Sequence, residues 1–205
     1  MSVAPRGTPR PELPHVVRII GGQWKRSKLQ VPDLAGLRPT PSRVRETVFN
    51  WLGQDLTGRR CLDAFAGTGA LGFEAASRHA ASVVLLERDR GLARVLVECR
   101  DRLGATAVRV ENVDAIAWMA TGAPERFDLI FIDPPFDAGL TLPALERAAR
   151  LLVAGGVVYL ESGHPIDVEA LATAGWHITR RAQAGQVHFG LLQRSAALAG
   201  DKLAM

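Results

Sequence analysis

From residue 60 onward the chain alternates short apolar runs with amphipathic stretches. Runs such as Val83-Val84-Leu85-Leu86 and Leu129-Ile130-Phe131-Ile132 are apolar at every position. That suits strands covered on both faces, because a strand with one wet face would alternate apolar and polar residues. Strands are predicted at about 60–64, 82–87, 107–111, 127–132, 156–161, 176–181 and 186–193. Helices are predicted between them at about 70–79, 89–103, 114–121, 140–153 and 166–174. In the second helix Leu92, Val95, Leu96, Cys99 and Leu103 share one face. The last two strands have no helix between them and meet at Ala184-Gly185, so they should pair antiparallel at one end of the sheet. The predicted fold class is α/β: a doubly wound, mostly parallel, seven-stranded Rossmann-like sheet.

Upstream the pattern changes. Val16 to Val31 reads as a β-hairpin turning at Gly21-Gly22, with basic residues around Trp24 on its second strand. Thr40-Pro41 offers an N-cap and a first-turn proline, and Val44, Val48, Trp51 and Leu52 recur at helical spacing, so a helix is predicted at about 41–53. Residues 1–15 carry Pro5, Pro9, Pro11 and Pro14 with little to bury, and the Ala- and Gly-rich residues 195–205 resemble them in this; both ends are expected to be disordered. The expected organisation is a basic hairpin and helix over 16–58, followed by a sheet domain over 59–194.

Composition narrows the class. No apolar run approaches the roughly 20 residues of a membrane span, and the Pro-rich start does not resemble a signal peptide, so a soluble cytoplasmic protein is expected. The two cysteines, Cys61 and Cys99, fit no metal spacing and read as buried reduced thiols; no metal is expected. Charge is uneven: residues 1–60 hold eleven Lys and Arg against four acids, a balance of +7 in a chain whose total is +4. The other 145 residues therefore sum to −3, and a polyanion partner such as nucleic acid is expected at the N-terminal portion.

The first predicted strand runs into Asp63-Ala64-Phe65-Ala66-Gly67-Thr68-Gly69-Ala70-Leu71-Gly72. Its G-x-G-x-x-G spacing permits a tight turn that brings a ligand against backbone N–H groups at a helix start. An acid at position 63 disfavours a pyrophosphate and favours a cation such as an ammonium or sulfonium. Glu87 ends the next strand, where a carboxylate can take both hydroxyls of a ribose. Asp114 follows the third strand, placed to accept a hydrogen bond from an adenine amino group. S-adenosylmethionine carries ammonium, ribose and adenine together. The expected cofactor contacts are Asp63, Phe65, Gly67, Thr68, Gly69, Glu87, Asp114 and Ala115; the alternative is a helix-capping acid at 63 and ordinary polar strand ends at 87 and 114.

Asp133-Pro134-Pro135-Phe136 follows the fourth strand directly. Two prolines after a strand make a stiff extended turn that cannot continue the sheet. At a carboxyl edge, where open α/β sheets bind ligands, it would hold a carboxylate, free carbonyls and a ring beside a planar nitrogen substrate. Asp133 and the Pro134 carbonyl are candidate acceptors of amine hydrogens, and Phe136 a stacking ring. The plain alternative is a Pro-rich turn with a half-buried aromatic.

With these residues in hand the chain resembles the class I S-adenosylmethionine-dependent methyltransferases. Within them it is similar to the RsmD family of small-subunit ribosomal RNA guanine-N2 methyltransferases. The likeness covers about residues 16–194 and rests on four segments: Val17-Arg18-Ile19-Ile20-Gly21-Gly22, Leu37-Arg38-Pro39-Thr40 with Arg43-Val44-Arg45-Glu46-Thr47-Val48-Phe49-Asn50-Trp51-Leu52, the glycine loop, and Asp133-Pro134-Pro135-Phe136. It implies methyl transfer to N2 of one guanine in 16S rRNA, with assembled or partly assembled small subunits as substrate and a monomeric enzyme. Arg18, Arg26, Arg38, Arg43 and Arg45 are the candidate phosphate contacts. The residues alone leave open an adenine-N6 methyltransferase, a protein glutamine methyltransferase and a catalytically silent RNA-binding assembly factor.

Overall fold

The computed structural model describes residues 16–31, 39–135 and 138–195. The alternation read from the chain is realised as one twisted sheet with helices on both faces. Its strands are β3 (Arg60–Asp63), β4 (Ser82–Glu87), β5 (Val108–Asn112), β6 (Phe127–Ile132), β7 (Leu152–Ser162), β8 (Trp176–Ala184) and β9 (Val187–Arg194), in the spatial order β5-β4-β3-β6-β7-β9-β8. The pairs among β3 to β7 are parallel, and β9 runs antiparallel to both β7 and β8, as the missing helix between the last two strands requires.

Helices α1 (Ser42–Leu52), α2 (Ala70–Ser77) and α3 (Arg90–Leu103) cover one face, where Val48, Phe49, Phe73 and Leu96 pack on Cys61, Leu85, Phe131 and Tyr159. Helices α4 (Ala115–Thr121), α5 (Thr141–Leu151) and α6 (Val168–Thr173) cover the other, where Met119, Leu145, Leu151 and Leu171 pack on Leu62, Val84, Ile130 and Leu160. Adjacent strand residues thus enter opposite cores, which is why the central strands are apolar at every position. Cys61 and Cys99 are buried free thiols, and burial pushes Cys61 up to about 12.

Two boundaries differ from the pattern. Strand β7 starts at Leu152, immediately after α5, and its register on β6 jumps from Phe127↔Leu152 to Leu129↔Val157. Gly155, at φ 73°, lies within this irregularity, and the continuous apolar run and regular pairing with β6 start only beyond it, so the sequence pattern marked a strand only from 156. The hairpin strands are short, β1 (Val16–Arg18) pairing with β2 (Lys28–Gln30), and Trp24 falls in the connection, not on the second strand. Gly21-Gly22 serves less as a turn than as a docking surface: a Cβ on Gly22 would stand 1.8 Å from the Ser77 carbonyl oxygen. No helix among the described residues is long and apolar enough to cross a membrane.

Candidate active site

Four parallel strands, β5, β4, β3 and β6, present their carboxyl ends along one edge, and each carries an acid there or one to two residues beyond. Strand neighbours lie about 4.8 Å apart, so these acids form a row rather than a cluster. The glycine loop opens from β3. Gly69 N–H bonds the Ala66 carbonyl at 2.7 Å, and Gly69 itself, left-handed at φ 74°, is the N-cap of α2. A Cβ on Gly69 would stand 2.7 Å from both Leu96 and Phe73, so α2 and α3 can close beneath the loop only over glycine.

Asp63 is buried, and its Oδ2 accepts from Gly72 N–H at 3.0 Å, inside the first turn of α2. Through this bond the carboxylate shapes the loop from beneath. Burial pushes Asp63 up to about 7, against the Gly72 and Phe65 N–H bonds and with help from the charge of Glu87. An unfolded aspartate titrates near about pH 4, so the folded state binds this proton more tightly. The contribution of Asp63 therefore favours folding at low pH and is lost as pH rises from about 4 to 7, by about 1.4 kcal/mol per unit. In Asp63→Asn, whose amide oxygen can still accept from Gly72, denaturant titrations across this window should show a flatter stability profile.

Glu87 bridges two backbone donors: Oε2 accepts from Gly67 N–H at 2.9 Å and Oε1 from Asp89 N–H at 2.8 Å. Burial raises its pKa against those two bonds. Asn112 donates to the Glu87 carbonyl at 2.9 Å and holds the ends of β4 and β5 together. Asp114 caps α4, accepting from Ala117 N–H at 2.9 Å, with Ala115 buried beside it. Thr68 is buried in the loop, and Phe65 is half-buried against the second core.

Asp133 follows β6, which pairs directly with β3, so the Pro-Pro turn stands next to the glycine loop; Ala64 N–H bonds the Phe131 carbonyl at 3.1 Å across the gap. Pro134 is buried and Pro135 exposed; Phe136 lies outside the described residues. Pro134 and Pro135 line a cavity of about 320 Å³ together with Leu140, Glu161 and His164. A hollow of about 350 Å³ lies at the other end of the sheet among Trp51, Arg59 and Asp128, away from the loop and the acids.

Thr40, read from sequence as an N-cap, has another task. The cap position of α1 is Pro41, and Thr40 Oγ1 instead donates to Asp133 Oδ2 at 3.3 Å. Behind it lies a buried hub that sequence reasoning missed. Glu74 accepts from Ile20 N–H, Gly21 N–H, Arg45 Nη1 and both Nε and Nη2 of Arg78, at 2.7 to 3.3 Å. The signal was available: Glu74 is the one acid in a helix otherwise apolar nearly all round.

The hub also corrects one candidate phosphate contact. Arg45 is 2% exposed, and its guanidinium donates to the carbonyls of Thr40 and Arg18 and to Glu74. It falls on the buried stripe of α1 with Val48 and Phe49, so it braces the extension against the sheet domain and does not reach solvent. Arg18, Arg26 and Arg43 are exposed, and Arg38 lies outside the described residues.

A parallel sheet whose last strand is inserted in reverse, with a glycine turn opening above an acid where dinucleotide folds keep an apolar residue, belongs to the class I methyltransferases. The family described as conserved hypothetical protein 95 matches residues 17–193, and the chain belongs to that family, the RsmD family. It is 45% identical over 190 residues to ribosomal RNA small subunit methyltransferase D of Escherichia coli, covering 88% of this chain and 91% of that protein. The Haemophilus influenzae protein of the same name is 35% identical over 182 residues, covering 86% of this chain and 93% of that protein. The solved structure of yhhF from Escherichia coli superimposes with a TM-score of 0.77 at 40% identity, over 88% of this chain and 99% of that one.

Proposed function

We propose that this methyltransferase transfers a methyl group from S-adenosylmethionine to the exocyclic N2 of a guanine in 16S rRNA, acting as a monomer on assembled or partly assembled small subunits. The observation that carries the reading is the pairing of β3 with β6, which sets the glycine loop beside Asp133-Pro134. Relatives named for ribosomal RNA of the small subunit support the substrate.

The donor set fits S-adenosylmethionine. Asp63 lies beneath the loop to attract a cation, Glu87 has carboxylate oxygens at the next strand end, and Asp114 and Ala115 stand at the third, in the order ammonium, ribose, adenine. Phe65, Gly67, Thr68 and Gly69 form the wall between. When bound, this cofactor supplies an electrophilic methyl on a sulfonium.

The chain's own residues prepare the acceptor. The lone pair of an exocyclic amine is delocalised into its ring. Hydrogen bonds from N2–H to the Asp133 carboxylate and the Pro134 carbonyl draw the nitrogen toward a tetrahedral shape and aim that lone pair. Phe136 stacks on the base, a contact worth about 1–3 kcal/mol that helps offset unstacking. The alkylated nitrogen is acidic, so Asp133 need only receive its proton; most of the acceleration comes from orientation.

The reading divides the chain into an RNA-binding extension over 16–58 and a transfer domain over 59–194. Arg18, Lys25, Arg26, Lys28 and Arg43 form the exposed basic surface of that extension and meet phosphates, together with Arg38. Small subunits from cells lacking the protein, incubated with it and isotopically labelled S-adenosylmethionine, should yield labelled N2-methylguanosine on nucleoside mass analysis. Label in N6-methyladenosine, or none in RNA, would reject the reading.

A further inference from the structure

The hollow of about 350 Å³ at the amino ends of β3 and β6 lies on the face that α1 covers. Its floor is apolar, with Leu129, Val157 and Leu191 from three neighbouring strands and Trp51 from the last turn of α1. One side of the Trp51 ring is stacked on Phe189 with centroids 5.5 Å apart, and the half-buried remainder lines the hollow. Arg59 and Arg180, both exposed, stand at the rim. Among the described residues neither guanidinium has a hydrogen bond or an ion pair. Asp128 lies beside them, but Arg60 already holds it: its Nε and its backbone N–H donate to Asp128 Oδ2 at 3.0 and 2.8 Å. The rim is therefore net positive.

Arg180 owes its direction to a bulge. The register of β8 on β9 passes from Ile178↔Leu192 to Arg180↔Leu191, so Thr179 is an extra residue. Simple alternation from Ile178, which packs on the second core, would return Arg180 to that face. The bulge turns it to the other side with Thr179, whose hydroxyl donates to the Leu191 carbonyl at 3.2 Å, and both line the hollow. Arg181, opposite Gly190, points away from it. Protection of the β8 edge from another strand would explain a bulge and a charge. It does not explain a second cation, Arg59, brought from the start of β3 to the same apolar hollow.

The volume is at the small end of the roughly 300–1,000 Å³ of ligand sites, room for one planar ring with its sugar. An aromatic floor with cations at the rim suits a π face carrying an anion, the combination found in a nucleotide. Helix α1 starts next to Asp133, where Thr40 bonds the carboxylate, and its eleven residues run about 16 Å toward Trp51. An RNA strand whose target base sits at Asp133 and whose backbone follows α1 reaches the hollow within a few nucleotides.

We infer that the hollow is a second RNA subsite, which seats a nucleotide flanking the target with its base against Trp51 and its phosphate between Arg59 and Arg180. The inference rests on the RNA-methylation reading above and adds to it the residues that anchor the flanking strand away from the transfer site.

The test measures methylation of small subunits from cells lacking the protein. Arg180→Ala should raise KM for the particles by about fivefold or more, with kcat and the S-adenosylmethionine dissociation constant unchanged. It should also flatten the dependence of log(kcat/KM) on log salt by about 0.7, the share of one single-strand phosphate. Arg181→Ala removes the same charge from the same strand on the other face and should do neither. A photo-crosslinker on Thr179→Cys, selective because Cys61 and Cys99 are buried, should attach to 16S rRNA. Attachment to a small-subunit protein alone, or to nothing, would overturn the nucleotide subsite. A parent that transfers no methyl to RNA would sink the proposed function itself. An active parent, with Arg180→Ala and Arg181→Ala behaving alike, would overturn the role of the hollow alone.

Discussion

Asp133→Ala is expected to lower turnover at least tenfold at saturating S-adenosylmethionine while leaving the cofactor dissociation constant unchanged. Tenfold corresponds to about 1.4 kcal/mol of transition-state stabilisation, a modest demand on a group that both orients the amine and receives its proton. Cofactor affinity should survive because Asp133 stands on β6, whereas the proposed cofactor contacts lie on β3, β4 and β5 and the turns beyond them. Thr40→Val provides a graded companion. It removes the 3.3 Å donor to Asp133 Oδ2 at nearly constant volume, so kcat should fall with KM little changed, and Thr40→Ser should restore it. Single-turnover measurements with labelled cofactor would check both. Near-normal turnover in Asp133→Ala would remove it from the catalytic role.

Glu74→Ala should cost about 3–5 kcal/mol of stability, the range for breaking a buried ion pair and leaving its partners charged and unmatched. The side chains of Glu74, Arg45 and Arg78 are at most 4% exposed, so solvent cannot take over the lost carboxylate. Two backbone donors, Ile20 N–H and Gly21 N–H, lose their acceptor in the same stroke. The hairpin should then loosen before the sheet domain does, since the residues that dock it lie around this hub. Hydrogen exchange should show faster exchange at Ile20 and Gly21 while Leu129 to Ile132 stay protected. Equal protection at both places would show that apolar packing, not the hub, holds the hairpin.

The acids at the strand ends were legible in the chain because each follows a run of apolar residues, and a polar residue just beyond a buried strand has few structural reasons to be there. Three features escaped. Arg45 read as a surface cation because its charge outweighed its place on the helical stripe with Val48 and Phe49; burial of a guanidinium needs a partner, and Glu74 is 29 residues away. Thr40 beside proline satisfied a local capping rule, yet its hydroxyl bonds Asp133 across 93 residues. Glu161 carried no signal of its own, and only the register of β7 on β6 brings its position next to that of Asp133.

Alternation of apolar and amphipathic segments determined the doubly wound sheet, its reversed last strand, and the glycine loop with its row of acids, since hydrophobic period and turn chemistry act over a few residues. The pairing of β3 with β6 and β6 with β7 decided which acids become neighbours, and with it the juxtaposition of Asp133 and Glu161. Strand order and register are set by the closing of both cores at once, a condition no short stretch of chain carries. The same holds for Arg45 and Glu74: taking a charge out of water is tolerable only once the opposite charge has arrived, and its arrival is a property of the folded whole.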